Sequence, residues 1–260
     1  MKSTVFISGK DNQLIKNVAK LQINARYRKE SGLFLLEGLR LCDDALCNNI
    51  HFEKLLFTQS FREKNQDMLQ SFLDNSDEGF EVTDALFKKI SDTVAPQGVI
   101  ALCEMSQNED FAFKKDGKYI ALENIGDPSN LGAICRSAEA FGIDGIIVSS
   151  DGCDPFSPKV LRASMGTVLR MPIFITSDFL RAIGECNLKK FACVVNKDSV
   201  RISDIDFNGG CISLIGNEGS GLTEAAVGLC DKCITIPMAG RVESLNASVA
   251  AAVVMWEMVK

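Results

Sequence analysis

A single histidine, His51, serves a chain of 260 residues. That scarcity argues against a histidine general base. It also leaves Cys230-x-x-Cys233 without partners for a structural zinc site, because no second C-x-x-C is present. No metal is expected, and the two cysteines read as buried structural ones. The opening residues Met1-Lys2-Ser3-Thr4 lack the apolar stretch of a secretory signal. The longest apolar run, Val249 to Trp256, is too short to span a bilayer. Ten cysteines without such a signal point to a reducing compartment, so a cytoplasmic protein with no membrane partner is expected. An overall excess of basic charge is missing as well. The net charge of −6 counts weakly against a nucleic-acid partner for the chain as a whole.

The distribution of charge is more informative than its sum. Residues 1–40 carry eight basic groups (Lys2, Lys10, Lys16, Lys20, Arg26, Arg28, Lys29, Arg40) and three acidic ones (Asp11, Glu30, Glu37), a local +5. A basic leading segment on an acidic body is compatible with a contact to a phosphate backbone. On charge alone, a solvated helix face explains it as well.

The polar stretches 106–110 and 114–117 read as a linker, which divides the chain into residues 1–105, a linker at 106–117, and residues 118–260. In the first part, Leu14, Val18 and Leu21 fit one helical face, and Leu33–Leu36 and Leu55–Phe57 read as strands. Gly38–Cys47 predicts a helix with Leu39, Cys42, Leu46 and Cys47 along one side. This part is a small α/β domain. In the second part, strands are predicted at Tyr119–Glu123, Gly145–Ser149, Phe191–Val195, Ile212–Ile215 and Ile234–Ile236. Helices lie between and after them, near Ser129–Phe141, Pro158–Met165, Asp178–Cys186, Thr223–Cys230 and Ser244–Val259. Such alternation predicts a largely parallel sheet covered on both faces. Ligands of these sheets bind beyond the C-terminal ends of the strands.

Three loops are expected at that edge. In Asn124–Asn130, Asp127 can cap a helix that starts at Pro128. The helix has an apolar face (Leu131, Ile134, Cys135, Ala138, Phe141), and on the other side Arg136 stands alone among Ser129, Gly132, Ala133 and Ala140. The second loop, Gly216-Asn217-Glu218-Gly219-Ser220-Gly221-Leu222, is glycine-rich but lacks both the Walker lysine and the G-x-G-x-x-G pattern. Glu218 would repel a phosphate at close range, so the loop suits a ligand of little negative charge, or none. The third runs from Ile236-Pro237-Met238 past Gly240 to Ser244, which can cap the last helix. Leu245, Val249, Ala252, Val253, Trp256 and Val259 give that helix its predicted buried face.

Together these residues resemble the three motifs of the SpoU (TrmH-type) RNA ribose methyltransferases, of the SPOUT class. The motifs are Asn130-x-Gly132-x-x-x-Arg136 with Phe141-Gly142, then Gly216-Asn217-Glu218-Gly219-x-Gly221-Leu222, then Ile236-Pro237-Met238-x-Gly240 with Ser244-Leu245-Asn246-x-Ser248. They occur in the family's order and spacing. More loosely, Phe34-Leu35-Leu36-Glu37-Gly38-x-Arg40 resembles the start of the ribosomal-protein-like RNA-binding domain that many members carry.

The resemblance implies a parallel sheet whose C-terminal part is tied in a trefoil knot, S-adenosyl-L-methionine as cofactor, a homodimer, and methyl transfer to a ribose 2′-hydroxyl. It implies that Gly216, Asn217, Gly219, Ile236, Met238 and Leu245 serve the cofactor. Arg136 would act at the hydroxyl, and Asn130, Glu218, Ser244 and Asn246 would position the groups around it. An arginine does not readily yield its proton, so stabilisation of the developing alkoxide is the preferred role. Arg26, Arg28, Lys29, Arg40 and Arg162 are the expected RNA contacts. Ribosomal RNA is preferred as substrate. A tRNA enzyme and a non-catalytic RNA-binding assembly factor are the competing readings. A nucleotide-dependent oxidoreductase lacks its glycine fingerprint.

Overall fold

The structure, a computed structural model, describes residues 4–105, 112–196 and 198–260. It divides into two compact units: Met1–Gln107 with Phe156–Leu169, and Asn108–Pro155 with Arg170–Lys260. One stretch inside 118–260, Phe156–Leu169, groups with the first unit. Residues 106–111 of the expected linker, and Lys2 of the basic segment, lie outside the described residues. Among the described residues no helix is long and apolar enough to cross a membrane.

The first unit is built on a five-stranded mixed sheet in the order β1-β4-β3-β5-β2. Its elements are β1 (Thr4–Ile7), α1 (Gln13–Ile23), α2 (Ala25–Ser31), β2 (Leu33–Glu37), α3 (Leu39–Cys47) and β3 (Phe52–Thr58). They continue with α4 (Gln59–Lys64), α5 (Gln66–Asp74), β4 (Ser76–Val82), α6 (Asp84–Ile90) and β5 (Val99–Glu104). Asn12 starts α1 by accepting the Leu14 N–H, and Asn24 closes α1 while capping α2 through Tyr27. Ile15, Val18 and Leu21 of α1 join Leu35, Leu56, Ile100 and Leu102 of the sheet in one apolar core. The buried side of α3 is Leu41, Cys42 and Ala45, one position round from the face predicted through Leu39, Leu46 and Cys47. Helix α3 lies against β2, β5 and α5, partners that spacing along the helix does not encode.

The second unit holds a seven-stranded, all-parallel sheet in the order β10-β12-β9-β11-β6-β7-β8. Its strands are β6 (Lys118–Leu122), β7 (Gly145–Ser149), β8 (Ile173–Thr176), β9 (Lys189–Cys193), β10 (Val200–Arg201), β11 (Cys211–Ile215) and β12 (Lys232–Thr235). The helices of this half are α7 (Pro128–Phe141), α8 (Pro158–Ala163, on the stretch that joins the first unit), α9 (Phe179–Gly184), α10 (Glu224–Gly228) and α11 (Ala247–Val259). The central strands β7 and β11 are buried throughout, as continuous apolar runs in a doubly covered parallel sheet should be. Strands β8 and β10 had no counterpart in the sequence reading. Both lie at the sheet edges, where short strands need little apolar pattern.

Helix α7 starts as expected, with Asp127 capping Ser129 and Pro128 in the first turn. The last helix corrects two expectations. Its cap is Asn246, which accepts from the N–H groups of Ser248 and Val249, not Ser244. Its buried side is Ala247, Ala251, Val254, Met255 and Met258, whereas Val249 and Trp256 are 48% and 55% exposed. That buried side lies on α7, β6, β11 and the 3₁₀ turn Ile202–Asp204. The Lys118 ammonium, at the start of β6, donates to the Met258 carbonyl and ties down the far end of the helix.

Candidate functional site

The parallel sheet puts the loops after β6, β11 and β12 at one edge, and hydrogen bonds lock them together. The Glu218 carboxylate, in the loop after β11, accepts from the N–H groups of Gly126 (3.0 Å) and Asp127 (3.1 Å) and from the Asn130 side-chain amide (2.9 Å). The Asn130 carbonyl oxygen in turn accepts from the Asn246 amide at 2.9 Å. Three residues widely separated in sequence thus form one chain of side-chain bonds: Glu218, Asn130, Asn246. Burial pushes the Glu218 carboxyl upward, but bonds from Asn130, Gly126, Asp127 and its own backbone outweigh this and hold it below the usual value of 4.5. A carboxylate so engaged positions the loop and is a poor proton acceptor.

Asn217 organises the same loop from within. Its amide donates to the Asn124 carbonyl (2.8 Å), while its oxygen receives the N–H groups of Gly219 (2.9 Å) and Ser220 (3.1 Å). The loop folds back so tightly that a Cβ on Gly216 would lie 2.1 Å from the Gly221 carbonyl carbon, so only glycine fits there. Asn124, at φ 52°, turns the chain between β6 and this contact. Sequence reasoning gave it no role, although asparagine after a strand tolerates that conformation. Glu123 was also passed over. It accepts the N–H (2.8 Å) and hydroxyl (2.7 Å) of Thr223, which caps α10.

An open, mostly apolar cleft lies beside this network. Ile236, Met238, Ser244 and Leu245 line it, as does Cys193 at the end of β9. Gly216, Asn217 and Gly219 are not among its lining residues. Desolvation holds the Cys193 thiol far above its ordinary range, so it contributes an apolar wall rather than a nucleophile. The Cys193 contribution could have been found from topology: β9 neighbours β12, so the two strand ends must share an edge. Among the described residues no lysine or arginine lines the cleft. It therefore suits an adenosyl group without phosphate. The cysteines Cys230 and Cys233 are half-buried and free.

Arg136 is exposed on α7, and among the described residues no hydrogen bond or ion pair engages it. It follows Asn130 by six residues on the same helix, and its guanidinium stays available. In the first unit, Arg26, Lys29 and Arg40 are exposed. Arg28 is not: it is 3% exposed and donates to the Leu21 carbonyl at 2.5 Å, closing the end of α1. Its expected RNA contact is corrected to a structural one. Arg162 is bonded to Asp92 at 2.7 Å.

Residues 117–256 match the model of the SpoU rRNA Methylase family, and residues 12–101 that of the MRM3-like substrate binding domain. The chain belongs to the SpoU family. It is 33% identical over 254 residues to an uncharacterised tRNA/rRNA methyltransferase of Synechocystis, covering 96% of this chain and 92% of that one. The 23S rRNA (guanosine(2553)-2′-O)-methyltransferase RlmP of Bacillus subtilis is 26% identical over 257 residues, 97% of this chain and 98% of its own. The AdoMet-bound rRNA methyltransferase of Sinorhizobium meliloti superposes with a TM-score of 0.86 at 28% identity, over 98% and 97% of the two chains. This SpoU protein is an RNA methyltransferase whose methyl donor is S-adenosylmethionine.

Proposed function

We propose that the protein methylates a ribose 2′-hydroxyl in ribosomal RNA, with Arg136 as the group that meets the hydroxyl. The observation that carries this is the Glu218–Asn130–Asn246 chain of bonds, which ties the start of α7 to the other two loops, with Arg136 exposed and unengaged on the same helix. Ile236, Met238 and Leu245 would hold S-adenosylmethionine in the apolar cleft, and the cofactor supplies the methyl group. The loop 216–222 orders the cleft's surroundings through its own bonds and through Glu218. Arg136 stabilises the charge that develops on the 2′-oxygen as its proton leaves, and holds the neighbouring phosphate. Arg26, Lys29 and Arg40 contact RNA phosphates from the first unit. Similarity along nearly the whole chain to a 23S rRNA 2′-O-methyltransferase favours ribosomal RNA over tRNA.

The C-terminal stretch forms a trefoil knot in this reading. Strand β12 lies outside β9, yet α11 packs on β11 and β6 on the other side of β9. The segment 236–246 must therefore cross back over the sheet edge, and α11 also meets the 3₁₀ turn Ile202–Asp204 of the preceding connection. The protein works as a homodimer through α7 and α11. Their outer side presents Phe141 against Trp256, ring centroids 5.9 Å apart, with Val249 beside them, an apolar patch that water covers poorly.

Mapping ribose methylation in total RNA with and without the protein tests the reaction. Loss of one ribosomal 2′-O-methyl group on deletion is expected. Loss confined to tRNA, or no change at any ribose, would refute the proposal.

A further inference from the structure

Between Phe156 and Leu169 the chain belongs to the first unit, although the residues flanking this stretch belong to the second. Each end of the excursion starts from a point fixed to the residues of the proposed chemistry. Before it, Cys153 donates its N–H to the Ile125 carbonyl (2.8 Å) and its thiol to the Gly126 carbonyl (2.7 Å). A Cβ on Gly152 would meet the Ile125 carbonyl oxygen at 2.7 Å, so the two strands of chain are in close apposition. This is the loop whose N–H groups, at Gly126 and Asp127, hold Glu218. After the excursion, Arg170 grips Glu139 of α7 with two bonds, of 2.6 and 2.8 Å. Glu139 lies three residues beyond Arg136, on a neighbouring part of the helix surface.

Within the excursion, α8 packs on β2, and the Phe156 ring lies 5.0 Å from that of Phe34. Arg162 of α8 pairs with Asp92 at 2.7 Å. Asp92 is itself held in place. Buried Glu37, at the end of β2, accepts the Asp92 N–H (3.0 Å), the Thr93 hydroxyl (2.8 Å) and the Gln22 amide (3.2 Å), together with the Ser91 hydroxyl. The Nη1 of Arg162 is buried and has no hydrogen-bond partner among the described residues. One nitrogen of the guanidinium is thus shut away and another is committed to Asp92, an arrangement ill suited to grasping a phosphate.

Resting on the proposed methyl transfer, we infer that Arg162 is a positioning residue rather than an RNA ligand. Its pair with Asp92 seats the excursion on the first unit. The two covalent ends of the excursion run into the chain that bonds loop 124–127 and α7. The pair is about one-third exposed on each side, so its share of folding stability is small. Its effect falls on geometry: a shift of about 1 Å in a reacting group can cost on the order of 10²-fold in rate.

The test compares Arg162→Ala, Asp92→Ala and the double variant in the full chain. Three quantities are measured: the single-turnover rate at saturating RNA, RNA affinity across a salt series, and S-adenosylmethionine affinity by calorimetry. Each single substitution should slow turnover by roughly 10- to 100-fold. The double variant should be no slower than the slower single one, because both remove the same contact. RNA affinity, its salt slope and cofactor affinity should match the native chain. If Arg162→Ala instead weakens RNA binding and lowers the salt slope by about one, while Asp92→Ala turns over normally, Arg162 is a phosphate ligand and the inference falls. Native rates in all three variants overturn it too. Should an alanine variant fail to fold, Arg162→Lys and Asp92→Glu carry the same comparison with the charges kept and the geometry changed. A native chain that methylates no RNA would sink the proposed reaction, whereas the salt slope of Arg162→Ala still decides between ligand and anchor.

Discussion

Removing the Glu218 carboxylate should cost catalysis far more than it costs cofactor binding. Glu218→Ala deletes three bonds to N–H donors, at 3.0, 3.1 and 2.9 Å. Bonds to a charged acceptor contribute about 1.5–3 kcal/mol each when buried. Glu218 is exposed, so water takes over much of that role and roughly 0.5–1 kcal/mol per bond is the appropriate scale. The expected destabilisation is therefore about 1.5–3 kcal/mol, read as a fall in Tm of about 2–4 °C per kcal/mol for a chain of this length. The rate effect is larger, because Gly126, Asp127 and Asn130 lose a common anchor at once. Turnover should drop on the order of 10²-fold. The cleft contains no Glu218 atom, so calorimetry should give native affinity for S-adenosylmethionine.

Glu218→Gln separates positioning from proton transfer. It keeps the length and one acceptor oxygen, so it should retain part of the rate that the alanine variant loses. A general base would lose everything in both. The pH dependence has a fixed sign. The folded-state value is depressed, so the carboxylate's stabilisation is present above 4.5 and is lost as pH falls through the lower folded value. The Tm difference between native chain and Glu218→Gln should narrow in that acid window. Native turnover in Glu218→Ala, or a glutamine variant as inactive as the alanine one, would refute this account.

Arg136→Ala should reduce turnover by roughly 10²–10³ while leaving cofactor affinity intact, since it removes charge stabilisation at the reacting oxygen. An unchanged rate in a folded variant would show the residue is misassigned. Light scattering at micromolar concentration should give twice the 28.3 kDa of one chain, and Trp256→Glu should halve that mass. Neutralising Arg26 and Lys29 together should weaken RNA binding and flatten its salt dependence without changing cofactor affinity. Arg28→Ala should instead lower Tm with little change in salt slope, because its guanidinium is buried on the carbonyls of α1.

How much of this was legible in the sequence depends on what kind of pattern carried it. The loops after β6 and β11 were readable because their constraints are local: Asp127 and Pro128 mark a helix start, and Gly216 marks a close approach. The meeting of Asn130, Glu218 and Asn246 followed from the alternation of strands and helices together with the family resemblance, not from spacing within any one segment. The seating of 156–169 on the first unit was not legible. It depends on contacts between Phe34 and Phe156 and between Asp92 and Arg162, and neither sequence neighbourhood marks the other. Arg28 shows the limit of charge reading. Within one basic stretch, Arg26 and Lys29 face water while Arg28 turns inward, and only the end of α1 explains the difference.

The last helix shows why periodicity failed where the family motif is strongest. From Ala247 to Val259 nearly every residue is apolar or small, so no side of the helix stands out. The sequence reading picked one apolar side, through Val249 and Trp256, and the fold buries the other, through Ala251, Val254, Met255 and Met258. Both sides are apolar. One is covered by β6, β11 and α7 of the same chain, and the other is the side that the proposed homodimer would cover. The cap follows the same logic. Ser244 and Asn246 are both able to start a helix and stand two residues apart, so local propensity does not separate them. The choice is settled by the second bond of Asn246, from its amide to the Asn130 oxygen at 2.9 Å. The residue that begins the helix is the one that also joins the site, which sets where α11 starts and which side it turns to the core.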